Sequence, residues 1–252
     1  MSEIPSREVI LAGLEQQLPV KVQDVFDLSR HNVGLVIIDE VNGFCKPGAG
    51  NLAPPASDAV IDQMIEVTNR LAEQFTSSGR PILIFQDTHD PEHPEPPYPP
   101  HCVEGTGEEE LVEQLAWLTK RGTEGLSTVT VIEKDCINGY IGADSHVIHN
   151  LVEDWIEFED LEAIVVVGIC TDICNLQFVQ TALSARNHGL LGNLKDVVVF
   201  VPACATYDLP LEVTRAIGLP ATAAHPRDLT QHLGLYLMQA SGAILTNGII
   251  LD

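Results

Sequence analysis

IVVVGICTDIC, residues 164–174, is the stretch whose reading decides the fold. Its β-branched run, Ile164 to Val167, reads as a strand buried on both faces. Gly168 ends the strand. Thr171 and Asp172 are helix N-cap types, and the following ICNLQFVQTALSARNHG carries a helical apolar pattern with Gly189 as a stop. Cys174 therefore falls in the first turn of a helix leaving a central strand. Backbone N–H groups there lack partners and the helix dipole favours negative charge. A thiol so placed is expected to have a lowered pKa and to serve as a nucleophile. The plainer reading is a small buried cysteine in a strand–helix unit. The rest of the chain decides between the two.

Working outward, VGLVIIDE (33–40), PILIFQD (81–87), STVTVIEK (127–134), DVVVFVP (196–202) and AILTNGIIL (243–251) read as further strands. Helices are expected over 58–79, 108–120, 144–158, 209–218 and 226–240. Alternating strands and helices predict a three-layer α/β/α domain over 31–252, with a mainly parallel, Rossmann-like sheet of about six strands. Residues 1–30 read as an N-terminal arm with some helix. In such sheets ligands sit beyond the C-terminal strand ends. Four of those ends carry reactive groups: Asp39, then Asp87 with His89, then Lys134, then Cys174.

Composition narrows the function classes. Asp and Glu outnumber Lys and Arg 36 to 13, a net charge of −23 that argues against nucleic acid and anionic membranes as partners. No apolar run reaches the roughly 18 residues of a membrane span. The N-terminus has no secretory signal pattern, so a cytoplasmic protein is expected, with its six cysteines as thiols. A small-molecule substrate fits these limits, and a homo-oligomer is compatible with them.

Two constellations carry chemistry. A cysteine nucleophile needs a group to take its proton, and a carboxylate serves if burial raises its pKa. Asp39, after the buried run LVII, is a candidate, and Lys134 would hold it electrostatically. With only five lysines in the chain, one at a core strand end is less easily read as a surface charge. The second constellation is FQDTHDPEHPEPPYPPHC (85–102). Asp87 and His89 point to one side of an extended segment, and His101 can return to them, giving an open site for a divalent metal. His93 is a further candidate ligand. His146 and His149 read as ordinary helix residues, and His188, His225 and His232 give no signal.

These residues resemble the isochorismatase-like cysteine hydrolases, and within them the nicotinamidase branch of plant type, over about Gly34 to Leu237. The resemblance rests on IIDEVNGFC (37–45), QDTH (86–89), PPHC (99–102), IEKDCINGY (132–140) and GICTDIC (168–174) together. It implies a catalytic triad of Asp39, Lys134 and Cys174. It implies a metal held by Asp87, His89 and His101, zinc first, with iron or manganese as alternatives. It also implies a cis peptide before Cys170. The expected reaction is hydrolysis of nicotinamide to nicotinate and ammonia through a thioester. The oxyanion would sit on the backbone N–H groups of Cys170 and Cys174, and Phe44, Tyr98 and Tyr140 would wall the ring. Val41 stands where many nicotinamidases have Gln, and Tyr98 where many have Trp. An amidohydrolase of the same fold acting on a ureido or carbamoyl substrate is the alternative.

Overall fold

A computed structural model describes residues 5–119, 128–144 and 149–251. In chain order its helices and strands are α1 (Arg7–Gln17), β1 (Phe26–Asp27), β2 (Val33–Ile38), α2 (Asn42–Cys45), α3 (Ala59–Ser77), β3 (Ile82–Asp87), β4 (Val129–Lys134), α4 (Gly139–Gly142), α5 (Leu151–Phe158), β5 (Ala163–Ile169), α6 (Leu176–His188), β6 (Asp196–Ala205), α7 (Leu211–Ala216), α8 (Arg227–Ala240), β7 (Ile244–Thr246) and β8 (Ile249–Ile250). Six strands form one parallel sheet in the order β4-β3-β2-β5-β6-β7. Every residue of β2 and β5 is buried, as expected of central strands covered on both faces. One apolar cluster packs α3 against the sheet through Ile61, Met64, Leu71 and Phe75. Another packs α5, α6 and α8 against the opposite face through Trp155, Phe178 and Met238. This is the three-layer architecture the sequence predicts.

Local chemistry sets the element ends. Asp58 caps α3, accepting from Val60 and Ile61 N–H, and Asn150 caps α5. Gly189 closes α6 in the left-handed region, φ 86°. Gly168 has φ 118°, and a Cβ there would lie 2.1 Å from the Ile38 carbonyl oxygen. Only glycine permits that approach of β5 to β2.

Several expectations need correction. Of the helix expected over 108–120, the described residues 108–119 hold no α-helix; a short 3-10 turn at Ala116–Leu118 is the regular structure there. The glutamates turn back into the loop instead. Glu108 accepts from Cys102 N–H, and Glu109 accepts from Gly105 and Gly107 N–H. The apolar residues Leu111, Val112, Leu115 and Leu118 are buried without helical continuity. The helix expected from Asp144 starts at Leu151, and His149 lies ahead of it, exposed; His146 lies outside the described residues. β6 runs on to Ala205, because a register shift opposite Val166–Gly168 takes up the chain around Pro202. The last expected strand divides: β7 joins the main sheet, while β8 pairs with β1 of the N-terminal arm. Arg7 binds Asp208 and Asp228, which ties α1 to the region around α8.

Candidate active site

β2, β3, β4 and β5 are neighbours in the sheet, so the groups at their C-terminal ends converge. Asp39 follows β2 in the left-handed region, φ 56°, with its N–H on the Phe85 carbonyl. Aspartate tolerates that conformation better than most residues. Lys134 ends β4 with its ammonium fully buried, 2.9 Å from Asp39 Oδ2 and 2.5 Å from Asp87 Oδ1. Burial of this cation is made tolerable by two carboxylates. Burial alone would lower its pKa, but Asp39 and Asp87 outweigh it and hold Lys134 protonated.

Asp39 and Asp87 share this cation yet differ. Burial pushes Asp39 up to about 7, against the opposing pull of Lys134 and with the push of Asp87. Burial also acts on Asp87, but Lys134, His101 and His89 overcome it and hold that carboxyl well below the usual range. Among the described residues neither Asp39 oxygen has a hydrogen bond of ordinary geometry, although the carboxylate interacts with the Cys174 thiol. One buried base is thus poised near neutrality and the other carboxylate stays charged.

Cys174 lies in a π-turn, Thr171–Asn175, between β5 and α6. The carbonyl of Cys170 accepts from both Ile173 and Asn175 N–H, bracketing Cys174. The Ile169–Cys170 peptide is cis. Here the structure corrects the sequence reading of a depressed thiol. Burial pushes the Cys174 thiol up, the Asp39 carboxylate pushes it the same way, and Lys134 only partly offsets them. At rest Cys174 is therefore a thiol, with the Asp39 carboxylate beside it. All six cysteines are free, Cys170 included.

The metal-ligand candidates also meet. Asp87, His89 and His101 are buried, with donor atoms all within 4.8 Å of one another. His89 Nε2 lies 3.0 Å and His101 Nε2 3.2 Å from Asp87 Oδ2. His101 Nδ1 donates to the Pro99 carbonyl at 2.8 Å, so in the neutral ring Nε2 carries a lone pair aimed at a carboxylate oxygen. Two acceptors facing each other call for a cation between them, and the donor set suits a divalent metal ion. His93 does not join them; its side chain is exposed and pairs with Asp90. Glu95, which the sequence reading passed over, lies closer: its Oε2 is 3.9 Å from His89 Nε2 and 3.7 Å from His101 Nε2, while Oε1 accepts from Ile137 N–H. A Glu among the six prolines and three histidines of 85–102 gave no spacing signal.

Phe44 and Tyr98 stand against the His101 ring, with centroids at 5.7 and 6.0 Å. Tyr140 is buried in the core instead, its hydroxyl donating to Glu153 at 2.7 Å, so it has a packing role that the sequence reading did not assign.

Glu40, next to Asp39, is fully buried; among the described residues only Thr68 donates to its carboxyl, and burial pushes that carboxyl up to about 8. A carboxyl raised in the fold contributes stability that is complete below its unfolded pKa near 4.5 and lost as pH rises through about 8. Stability should therefore fall between pH 5 and 8, by on the order of 3 kcal/mol from this group. In Glu40→Gln that slope should flatten, as read by thermal melts across the range. An unchanged slope would show that Glu40 is not the group responsible.

A family model for the isochorismatase domain matches residues 33–229. The chain is 46% identical over 245 residues to Nicotinamidase 1 of Arabidopsis thaliana, covering 97% of this chain and 98% of that protein. In fold it is similar to a nicotinamidase of Bacillus subtilis, with a TM-score of 0.62 and 21% identity over 85% of this chain and 99% of that one. It is also similar to a pyrazinamidase of Pyrococcus horikoshii solved in complex with zinc, with a TM-score of 0.57 and 18% identity over 88% and 99% of the two chains. The matched domain runs from β2 into α8 and contains every residue of the site described above, so the chain belongs to the isochorismatase family.

Proposed function

We propose that the protein is a nicotinamidase, hydrolysing nicotinamide to nicotinate and ammonia through a thioester on Cys174. One observation carries the reading: the buried ammonium of Lys134 joins Asp39, which faces Cys174, to Asp87 of the metal-ligand set. A nucleophile with its base and an orienting site are thereby built as one unit. The near full-length similarity to a plant nicotinamidase supports the same substrate.

Asp39 takes the thiol proton as Cys174 Sγ bonds to the amide carbon. The oxyanion that develops is met by the backbone N–H groups of Cys170 and Cys174, fixed in place before reaction. Asp39 then gives its proton to the amide nitrogen, the C–N bond breaks and ammonia leaves. Water gives a proton to Asp39 and attacks the thioester, and Asp39 returns that proton to the departing sulfur. Lys134 stays charged throughout and steadies the Asp39 carboxylate each time it forms. Phe44 and Tyr98 hold the ring by stacking. Asp87, His89 and His101, with Glu95 in reach, would hold a divalent ion, zinc by preference and iron or manganese by the same donors, which when bound supplies a Lewis-acid position for the pyridine nitrogen.

The ureido or carbamoyl alternative is disfavoured by that donor set, since such substrates offer no ring nitrogen. Six free thiols fit a reducing compartment, which supports a cytoplasmic setting. No helix among the described residues is long and apolar enough to cross a membrane. Ammonia release measured with nicotinamide, benzamide and a ureido acid tests the reading. Nicotinamide should be turned over far faster than the other two, and preference for the ureido acid would overturn it. Chelation should leave the sheet folded, because its core is independent of the loop, and should raise KM for nicotinamide. His101→Ala should reproduce that rise. Equal KM with and without metal would remove the orienting role.

A further inference from the structure

Outside the mechanism lies a second polar cluster, built on the buried His225 and the partly buried Asp172. Asp172, inside the π-turn that carries Cys174, has Oδ2 at 2.7 Å from His225 Nε2. His225 Nδ1 lies 2.9 Å from the Tyr207 carbonyl, and its ring stacks on the Tyr207 ring with centroids 3.9 Å apart and planes 14° apart. Both ring nitrogens face oxygen acceptors, so the imidazole is locked at both ends. The backbone is locked as well: His225 and Leu209 exchange N–H to carbonyl bonds of 2.7 and 2.8 Å across the neck of the 210–224 excursion. Gly234 lets α8 close on the Asp172 backbone; a Cβ there would lie 2.7 Å from Asp172 Cα.

Sheet register puts Tyr207 at the active edge. Ile169 pairs with Ala205, so Thr206 and Tyr207 run on beside Cys170 and Thr171. Both neighbours of Tyr207 are held by Arg227, whose side chain donates to the Thr206 carbonyl and whose N–H donates to Asp208. Tyr207 is half-buried, and burial first, then Cys170, Asp172 and Tyr98, pushes its phenol pKa up. Phe44 and Tyr98 stand on the His101 side of the site. Tyr207 stands on the Cys170 side.

We infer that Tyr207 is a wall of the substrate-ring pocket, and that Asp172 and His225 are positioning residues that hold its ring plane, making the three a determinant of aromatic-amide binding. The inference rests on the nicotinamide reading above. A stacking partner fixed before binding contributes affinity because little side-chain freedom remains to be lost.

Steady-state kinetics of wild type, Tyr207→Ala, Tyr207→Leu, Tyr207→Phe, His225→Ala and the Tyr207→Ala/His225→Ala pair test it, with circular dichroism to establish folding. Tyr207→Ala should raise KM for nicotinamide roughly 3- to 10-fold with kcat changed less than about twofold, and inhibition by nicotinate should weaken by the same factor. Tyr207→Phe should recover most of the loss. His225→Ala should shift KM in the same direction, and the pair should lose little more than Tyr207→Ala alone. If His225→Ala does not fold, the Tyr207 series decides the wall. Unchanged KM in both Tyr207→Ala and Tyr207→Leu, or a fall confined to kcat, would overturn the inference while leaving the nicotinamidase intact. A wild-type enzyme inert toward nicotinamide would overturn both.

Discussion

Cys174→Ala is expected to abolish ammonia release, with turnover falling on the order of 10⁴-fold or more, because the covalent route closes entirely. The fold should survive, since the side chain removed is small and the buried strands around it are untouched. Nicotinamide should still bind, as Phe44, Tyr98 and His101 remain. The measurements are single-turnover assays and equilibrium titration of the ring. Appreciable turnover in this variant would end the cysteine-hydrolase reading. Burial and Asp39 hold the thiol protonated, so alkylation at neutral pH should depend on the base. Labelling of Cys174 should speed up in Asp39→Asn, which removes the carboxylate's push and leaves Lys134 acting on the thiol unopposed; labelling at the wild-type rate would show that Asp39 does not set the thiol's protonation.

Asp39→Asn should lower kcat by roughly 10²–10⁴, because the amide keeps the shape but accepts no proton. Lys134→Ala should be comparably damaging, and combining the two should cost less than the sum, since a single cation–carboxylate unit is lost either way. Full additivity would mean that they act separately. The pH profile follows from the base. With Asp39 raised to about 7, the reactive carboxylate predominates above that pH and is lost below it. kcat/KM should therefore fall about tenfold per pH unit on the acid side and level off on the alkaline side. An acid limb near pH 4 would mean that Asp39 titrates as an ordinary carboxyl.

Much of this arrangement is legible in the residues. The runs Leu35–Ile38 and Ile164–Val167 announce doubly buried strands, and once parallel strands are accepted the groups after them must share an edge. The mixture of Asp, Asp-x-His, Lys and Cys at those ends then points to a cysteine nucleophile with a carboxylate base beside a metal site, and the amide substrate is what the family resemblance adds. What stayed hidden depends on tertiary partners. The heptad-like spacing of Leu111, Val112, Leu115 and Leu118 imitates a helix, yet Glu108 and Glu109 serve loop N–H groups that no local rule anticipates. The thiol's raised pKa comes from the depth of burial and a carboxylate far away in sequence, which outweigh its position near a helix start. His225 stands alone in a Pro- and Ala-rich segment, and its bond to Asp172 spans 53 positions of chain. Glu95 was masked by the more obvious histidines beside it.

The parallel sheet order β4-β3-β2-β5-β6-β7 has a temporal meaning. No two of its six strands are joined by a hairpin, so each pairing requires an intervening stretch of chain to close as a loop before any contact is gained. The sheet is built from the middle outward in space but not along the chain, since β2 must find β5 across β3 and β4. Folding should accordingly be slow for its length. Asp39, Lys134 and Cys174 come together only when β2, β4 and β5 are all in register. Catalysis in this protein is thus a late reporter of native assembly: during refolding, helical signal should return first and hydrolysis last, and a nascent chain that ends before β5 has no partial activity to offer.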